Sequence, residues 1–263
     1  MRDATDMLID SHCHLDFPEL AGRLDEIFLL MRDNQVGRAL CVSVNLDDFP
    51  KVLALAEAHD HLYASVGVHP DYPDATEPSV EDLVRLAAHP KIVAIGETGL
   101  DYYRLTGDLE WQRQRFRTHI CAARQCGKPL IIHTRAAAED TIRMMQEEGA
   151  ALAGGVMHCF TESWAVAEAA LAMGFYISFS GIVTFKNAKV LKEVAQKVPL
   201  NRMLIETDAP YLAPAPFRGR TNEPGLVRYV AEEIARLRGC AVADIAAATT
   251  ENCLNLFNMA GHS

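Results

Sequence analysis

Eight short apolar runs recur along the chain, and segments of helical spacing separate them. They read MLIDSHCH (7–14), RALCVSV (38–44), LYASVGVHP (62–70), KIVAIGETG (91–99), PLIIHT (129–134), GGVMHCF (154–160), FYISFSG (175–181) and RMLIETDAP (202–210). Each is a near-continuous hydrophobic run of strand length, as expected where both faces of a sheet are covered. Between them, LDEIFLLMRDN (24–34), VEDLVRLAAH (80–89), WQRQRFRTHICAARQC (111–126), AEDTIRMMQEEG (138–149) and AVAEAALAMG (165–174) follow the spacing of helices. Alternating strand and helix forces crossover connections and a parallel sheet, and eight repeats predict closure into a (β/α)8 barrel. Barrels of about 250 residues form one domain, so 1–263 is read as a single unit. An open, doubly wound sheet is the second reading, but no GxGxxG turn follows the first strand and no GxxxxGK[ST] loop occurs. Toward the C-terminus, LVRYVAEEIARLRG and VADIAAATTENCLNLF predict two closing helices, the first stopped by Gly239. Proline gathers in one loop, DAPYLAPAPFRGRTNEPG (208–225), and loops that long inside a domain are usually functional.

Composition narrows the function. A hydrophobic fraction of 49% and a charged fraction of 23% are those of a chain with a sizeable core. No apolar stretch is long enough to span a bilayer, and MRDATDMLID lacks the basic and apolar regions of a secretory leader. A cytoplasmic address with no membrane partner is expected, and no obligate protein partner is evident. Seven cysteines without a CxxC pair predict reduced, mostly buried thiols and neither a disulfide framework nor a cysteine zinc site. The formal net charge of −10 disfavours a broad electrostatic footprint on nucleic acid, whose phosphates are held by Lys and Arg. A nucleic-acid substrate must then be gripped locally.

The ends of the apolar runs carry the chemistry. In a parallel barrel the C-terminal strand ends build the active face, so residues far apart in sequence converge there. These ends supply His12 and His14, His69, Glu97, His133, His158 and Asp208. Side chains alternate along a strand, so Asp10, His12 and His14 share a face while Cys13 points the other way. The same parity groups Glu206 with Asp208. One histidine at a strand end is more often a hydrogen-bonding residue than a ligand. Four histidines, a glutamate and an aspartate together suit two divalent cations, with zinc, magnesium, manganese and nickel all compatible, and leave room for water. Such a pair lowers the pKa of water and clamps an ester or phosphate oxygen, which is the logic of metal-assisted hydrolysis.

The blocks IDSHCHLD, SVGVHP, AIGETGLDYYR, PLIIHTR, GGVMHCFT, YISFSGIVTFKNA and IETDAPYLAPAPFRGRTNEP, in this order over nearly the whole chain, resemble the TatD family of metal-dependent hydrolases and deoxyribonucleases. The second half is similar to the bacterial YcfH branch. The resemblance implies a (β/α)8 barrel of the amidohydrolase superfamily with a two-metal centre at its C-terminal mouth. It also implies that His12, His14 and Asp208 hold one metal, that His133 and His158 hold the other, and that Glu97 bridges them. Water activated by the metals is then the nucleophile, with Asp208 the residue that takes its proton. Glu206, and less strongly Asp10, read as acceptors that orient a ligand histidine, the other reading of each being structural burial.

His69 is a candidate substrate contact, the other reading being a hydrogen bond that fixes the loop before Pro70. Arg135, two residues past His133, and Arg104, Lys186, Arg218 and Arg220 on loops are candidate phosphate grips, or else solvated surface charges. Tyr102, Tyr103 and Tyr211 offer rings to stack on a base, or to pack at the rim. The leading function is a phosphodiesterase, by resemblance a deoxyribonuclease of 3′–5′ exonuclease type acting on DNA. Hydrolysis of a small carboxylic ester or amide, such as an aminoacyl ester on tRNA, is the competing enzyme. A non-catalytic binding module that keeps its metal is the third reading, and a complete set of six candidate ligands speaks against it.

Overall fold

All eight apolar runs are strands in the computed structural model, which describes residues 7–259. The segment 1–6, where no secretory leader is expected, lies outside the described residues. The strands are β1 Leu8–Cys13, β2 Val36–Cys41, β3 Leu62–Val66, β4 Ile92–Asp101, β5 Leu130–Arg135, β6 Gly155–Met157, β7 Tyr176–Phe179 and β8 Met203–Ile205. They form one sheet in the order β1 to β8, the strand order of a (β/α)8 barrel. Every strand pair described is parallel. A parallel sheet needs cover on both faces, and β1 and β4 are accordingly buried along their whole length.

The chain divides into two compact units. Among the described residues, one comprises 7–41, Cys159–Ala167 and 177–259, the other Val42–His158 and Glu168–Tyr176. In the first, β1 pairs with β2 and β7 with β8, and Cys13 bridges in parallel to Ala209, so the chain beyond β8 runs on alongside β1. The helices Val227–Arg238 and Val242–Phe257 belong here. Gly239 caps the first in the left-handed conformation, φ 66°, that glycine adopts without cost. In the second unit β3, β4, β5 and β6 pair in sequence, and the helix Glu110–Cys126 packs on β4.

None of the seven cysteines, all among the described residues, forms a disulfide. Cys13, Cys41 and Cys253 are buried, Cys126 and Cys159 half-buried, and Cys121 and Cys240 exposed, so fewer are buried than the sequence reading expects. Among the described residues no helix is long and apolar enough to cross a membrane.

Candidate metal centre

In the first unit the site begins where β1 ends. The Asp208 N–H donates to the His12 carbonyl at 2.9 Å and the His14 N–H to the Ala209 carbonyl at 2.8 Å. These two bonds carry Asp208 beside the histidine pair although almost two hundred residues separate them. The expected parity holds: Cys13 turns away and its thiol donates to the Leu40 carbonyl. His12 Nε2 and His14 Nε2 lie 3.3 Å apart, and Asp208 Oδ1 is 3.6 and 3.5 Å from them. Donors on a tetrahedral cation at about 2.0–2.1 Å stand roughly 3.4 Å from one another, so two imidazoles and a carboxylate are spaced as three ligands of one ion. Asp208 takes φ 57°, a conformation an aspartate tolerates but rarely adopts, at the point where its carboxylate must turn toward both rings.

Asp10 and Glu206 hold the backbone around this triad. Asp10 accepts from the Thr207 N–H (2.8 Å), the Thr207 hydroxyl (2.5 Å) and the His12 N–H (3.3 Å), so it fixes both chain segments that carry ligands. Burial pushes its carboxyl up to about 8 against the pull of those hydrogen bonds. Glu206 accepts from the N–H of Cys159, the residue after His158, at 2.7 Å. Asn222, not singled out by sequence, donates to the Thr207 and Tyr211 carbonyls at 2.8 and 2.7 Å and ties down the proline-rich loop.

In the second unit, register builds the site. Gly99 on β4 lies opposite His133 on β5, which makes Glu97 and Asp101 the diagonal neighbours of His133 on the same face. Glu97 Oε1 is 3.1 Å from His133 Nδ1, and Asp101 Oδ2 is 3.1 Å from His133 Nε2. The His158 N–H continues the ladder to the Ile132 carbonyl, and His158 Nε2 reaches the same Glu97 oxygen at 2.7 Å. Burial works against charge on both members of the Asp101–His133 pair. Their mutual hydrogen bond, helped by the Tyr103 N–H at Asp101 and by Glu97 at His133, outweighs it, lowering the Asp101 carboxyl and raising the His133 imidazole. Asp101 was missed in the sequence, although its parity with Glu97 was there to be read.

His69 departs from the expected position. β3 ends at Val66, so His69 stands on the loop beyond the strand, where its N–H donates to the Val44 carbonyl. Its Nε2 is 3.3 Å from both Glu97 Oε1 and His133 Nδ1, and the three residues form a cluster with the spacing of metal ligands.

The basic candidates lie at the surface. Arg104 is 3.6 Å from Asp71, Arg135 stacks on Tyr103 at 3.9 Å, and Arg218 stacks on Phe185 at 3.6 Å. Arg220 lies 6.0 Å from the centre of the Phe217 ring, and Lys186 is exposed. Tyr102 donates to Asp140 at 2.8 Å and accepts from Arg113 at 3.2 Å. Phe17 stacks on the His14 ring at 4.8 Å and meets Tyr211 edge-on.

A family model described as TatD related DNase matches residues 9–258. The chain belongs to the TatD family. It is 44% identical to the uncharacterized metal-dependent hydrolase YabD of Bacillus subtilis (strain 168), covering 96% of this chain and all of that protein. With YcfH of Escherichia coli (strain K12), another uncharacterized metal-dependent hydrolase, identity is 45% over 96% of each. The 3′-5′ ssDNA/RNA exonuclease TatD of Erwinia tasmaniensis is 33% identical over 96% of this chain and all of its own. These figures place the chain with the YcfH and YabD branch of the TatD family. The crystal structure of YJJV, a TatD homolog from Escherichia coli K12, superposes with a TM-score of 0.89 at 31% identity, covering 97% of this chain and 99% of that one. The fold is the (β/α)8 barrel, and the protein is a TatD-family metal-dependent hydrolase. The donor sets fit that class: buried and half-buried imidazoles and carboxylates, free of thiolates, suit open divalent sites.

Proposed function

We propose that this TatD protein hydrolyses phosphodiester bonds of single-stranded nucleic acid from the 3′ end, acting as one cytoplasmic domain. The observation that carries the reading is the convergence of His12 Nε2, His14 Nε2 and Asp208 Oδ1 within 3.3–3.6 Å, a spacing that suits one divalent ion. We assign His12, His14 and Asp208 to one cation, His133 and His158 to a second, and Glu97 to both, each ion being zinc, magnesium, manganese or nickel. When bound, the pair supplies Lewis acidity to a phosphoryl oxygen and lowers the pKa of water. Asp208 accepts the proton of the attacking water, since its carboxylate is the group in the first triad that can take one. Asp101 holds the His133 ring by accepting from Nε2–H, which leaves Nδ1 with the lone pair directed at Glu97. His69 and the loop cations Arg104, Arg135, Lys186, Arg218 and Arg220 are proposed to meet the substrate phosphates. The Erwinia relative, named for single-stranded DNA and RNA, supports the substrate class. Seven cysteines without a disulfide suit a reducing compartment.

Purified protein with magnesium or manganese should shorten a 5′-labelled single-stranded oligonucleotide stepwise from its 3′ end. Chelator, Asp208→Ala or Glu97→Ala should each lower the rate at least about a hundredfold. Full activity in both variants would sink the mechanism. Turnover of an aminoacyl ester without phosphodiester cleavage would overturn the nuclease reading in favour of a carboxylic esterase.

A further inference from the structure

The helix Glu110–Cys126 carries three buried polar residues, Gln112, Arg115 and His119, spaced by three and four so that they share one face. Such a face costs stability unless its polar groups are paired, and here Gln112 pairs with backbone at the end of β4, His119 with backbone just beyond β3, and Arg115 with the loop that follows. The Gln112 side chain accepts from the Asp101 N–H and donates to the Asp101 carbonyl, both at 2.9 Å. His119 Nε2 accepts from the Val68 N–H at 3.0 Å.

Arg115 is the most committed of the three. Its guanidinium donates to the His69 carbonyl (2.8 Å), the Tyr72 carbonyl (3.0 Å) and both oxygens of Glu77 (2.5 and 2.9 Å). All four contacts fall within the segment 69–77. A buried cation that makes four hydrogen bonds to one loop fixes where that loop's first residue stands. That residue is His69.

The tautomer of His69 follows from its own loop. The Asp71 N–H donates to His69 Nδ1 at 2.9 Å, so Nδ1 holds a lone pair and the proton of the neutral ring sits on Nε2. A ring so arranged cannot ligate through Nε2, although Glu97, His69 and His133 have the spacing of a metal cluster. Its Nε2–H instead points among acceptors, with Glu97 Oε1 and His133 Nδ1 each 3.3 Å away. We infer that Arg115 and Glu77 are positioning residues that lock the segment 69–77 so that His69 offers Nε2–H as a hydrogen-bond donor to an anionic substrate oxygen. The donor role rests on the hydrolase reading above; the clamp and the tautomer do not.

The test uses the full chain labelled with 15N-histidine and stripped of metal, read by long-range 15N–1H correlation. Wild type should show His69 as the Nε2–H tautomer. Glu77 is half exposed, so Glu77→Ala should fold; it should broaden and average the two His69 nitrogen signals. In the metal-loaded enzyme Glu77→Ala should lower kcat about tenfold with KM and metal stoichiometry unchanged, and Glu77→Gln should restore part of the loss. An Nδ1–H tautomer in wild type would overturn the inference, as would Glu77→Ala with unaltered His69 signals and unaltered kcat. The spectra need neither metal nor substrate, so they decide the clamp even if the oligonucleotide assay fails.

Discussion

His133 is gripped at both ring nitrogens, and the two grips do different work. Glu97 faces Nδ1, the nitrogen proposed to ligate, while Asp101 at Nε2 sets the tautomer and the ring plane. Asp101→Asn keeps the volume and removes the charge, so divalent-ion affinity should fall 10- to 100-fold in competition with a chelating dye, while the unfolding midpoint of the metal-free protein moves little. Equal affinity in the variant would remove Asp101 from the site. A second residue makes a pH prediction. Burial lowers the His119 imidazole to about 4, whereas the unfolded chain titrates near 6.5. Below pH 6.5 the unfolded state takes a proton that the folded state refuses until pH 4, so stability is present above that window and is lost as pH falls through it, by about 3 kcal/mol. His119→Gln removes the proton site, so the stability difference between wild type and variant should shrink by about that amount from pH 7 to pH 4 in denaturant titrations. A difference independent of pH would refute the assignment. At this scale the sequence made the six candidate ligands legible, because histidines and carboxylates stood at the ends of apolar runs. Asp101 and His119 escaped, since their role depends on which backbone or ring nitrogen they meet, and spacing does not carry that.

At the scale of elements, the alternation of apolar run and amphipathic segment was enough for all eight strands. The helices Phe49–Ala58 and Lys189–Lys197 are absent from the sequence reading, although each buries residues at helical spacing, Phe49, Val52 and Ala56 on the first and Leu191, Val194 and Ala195 on the second. The run at 202–210 also overstates its strand, Met203–Ile205, because hydrophobic sequence continues past the sheet ladder into backbone that pairs with β1. What sequence could not supply was register. Gly99 lies opposite His133 at φ 138°, and a Cβ there would stand 2.0 Å from the His133 carbonyl oxygen. Only glycine lets the two strands close while Glu97 and Asp101 flank the ring. Gly99→Ala should therefore destabilise the protein by about 3 kcal/mol, through the left-handed backbone and the forced separation of β4 from β5. Its denaturation midpoint should drop accordingly and its divalent-ion affinity should fall with it. Wild-type stability in Gly99→Ala would mean that the β4–β5 register differs from the one described.

At the scale of the molecule, 35 acidic residues against 25 basic ones oppose any polyanion, so substrate binding has to rest on a few cations at the site. Net charge was plain in the sequence, but the disposition of the basic side chains was not. Arg104 lies near Asp71, and Arg135 and Arg218 already stack on aromatic rings, which leaves them poised in fixed places but reduces the number free to displace counterions. If about three phosphates are neutralised, the affinity for single-stranded DNA should follow salt with a log–log slope near −2, about a twentyfold loss between 50 and 200 mM. Fluorescence anisotropy with Asp208→Ala, which should bind without turnover, measures this directly. Arg135→Ala should flatten the slope by somewhat under one, in keeping with the loss of one phosphate contact, and should weaken binding to all sequences alike. A slope steeper than about −5 would instead require a broad basic track, which a chain with this charge and these paired arginines does not provide, and it would overturn the local grip on which the proposed nuclease depends.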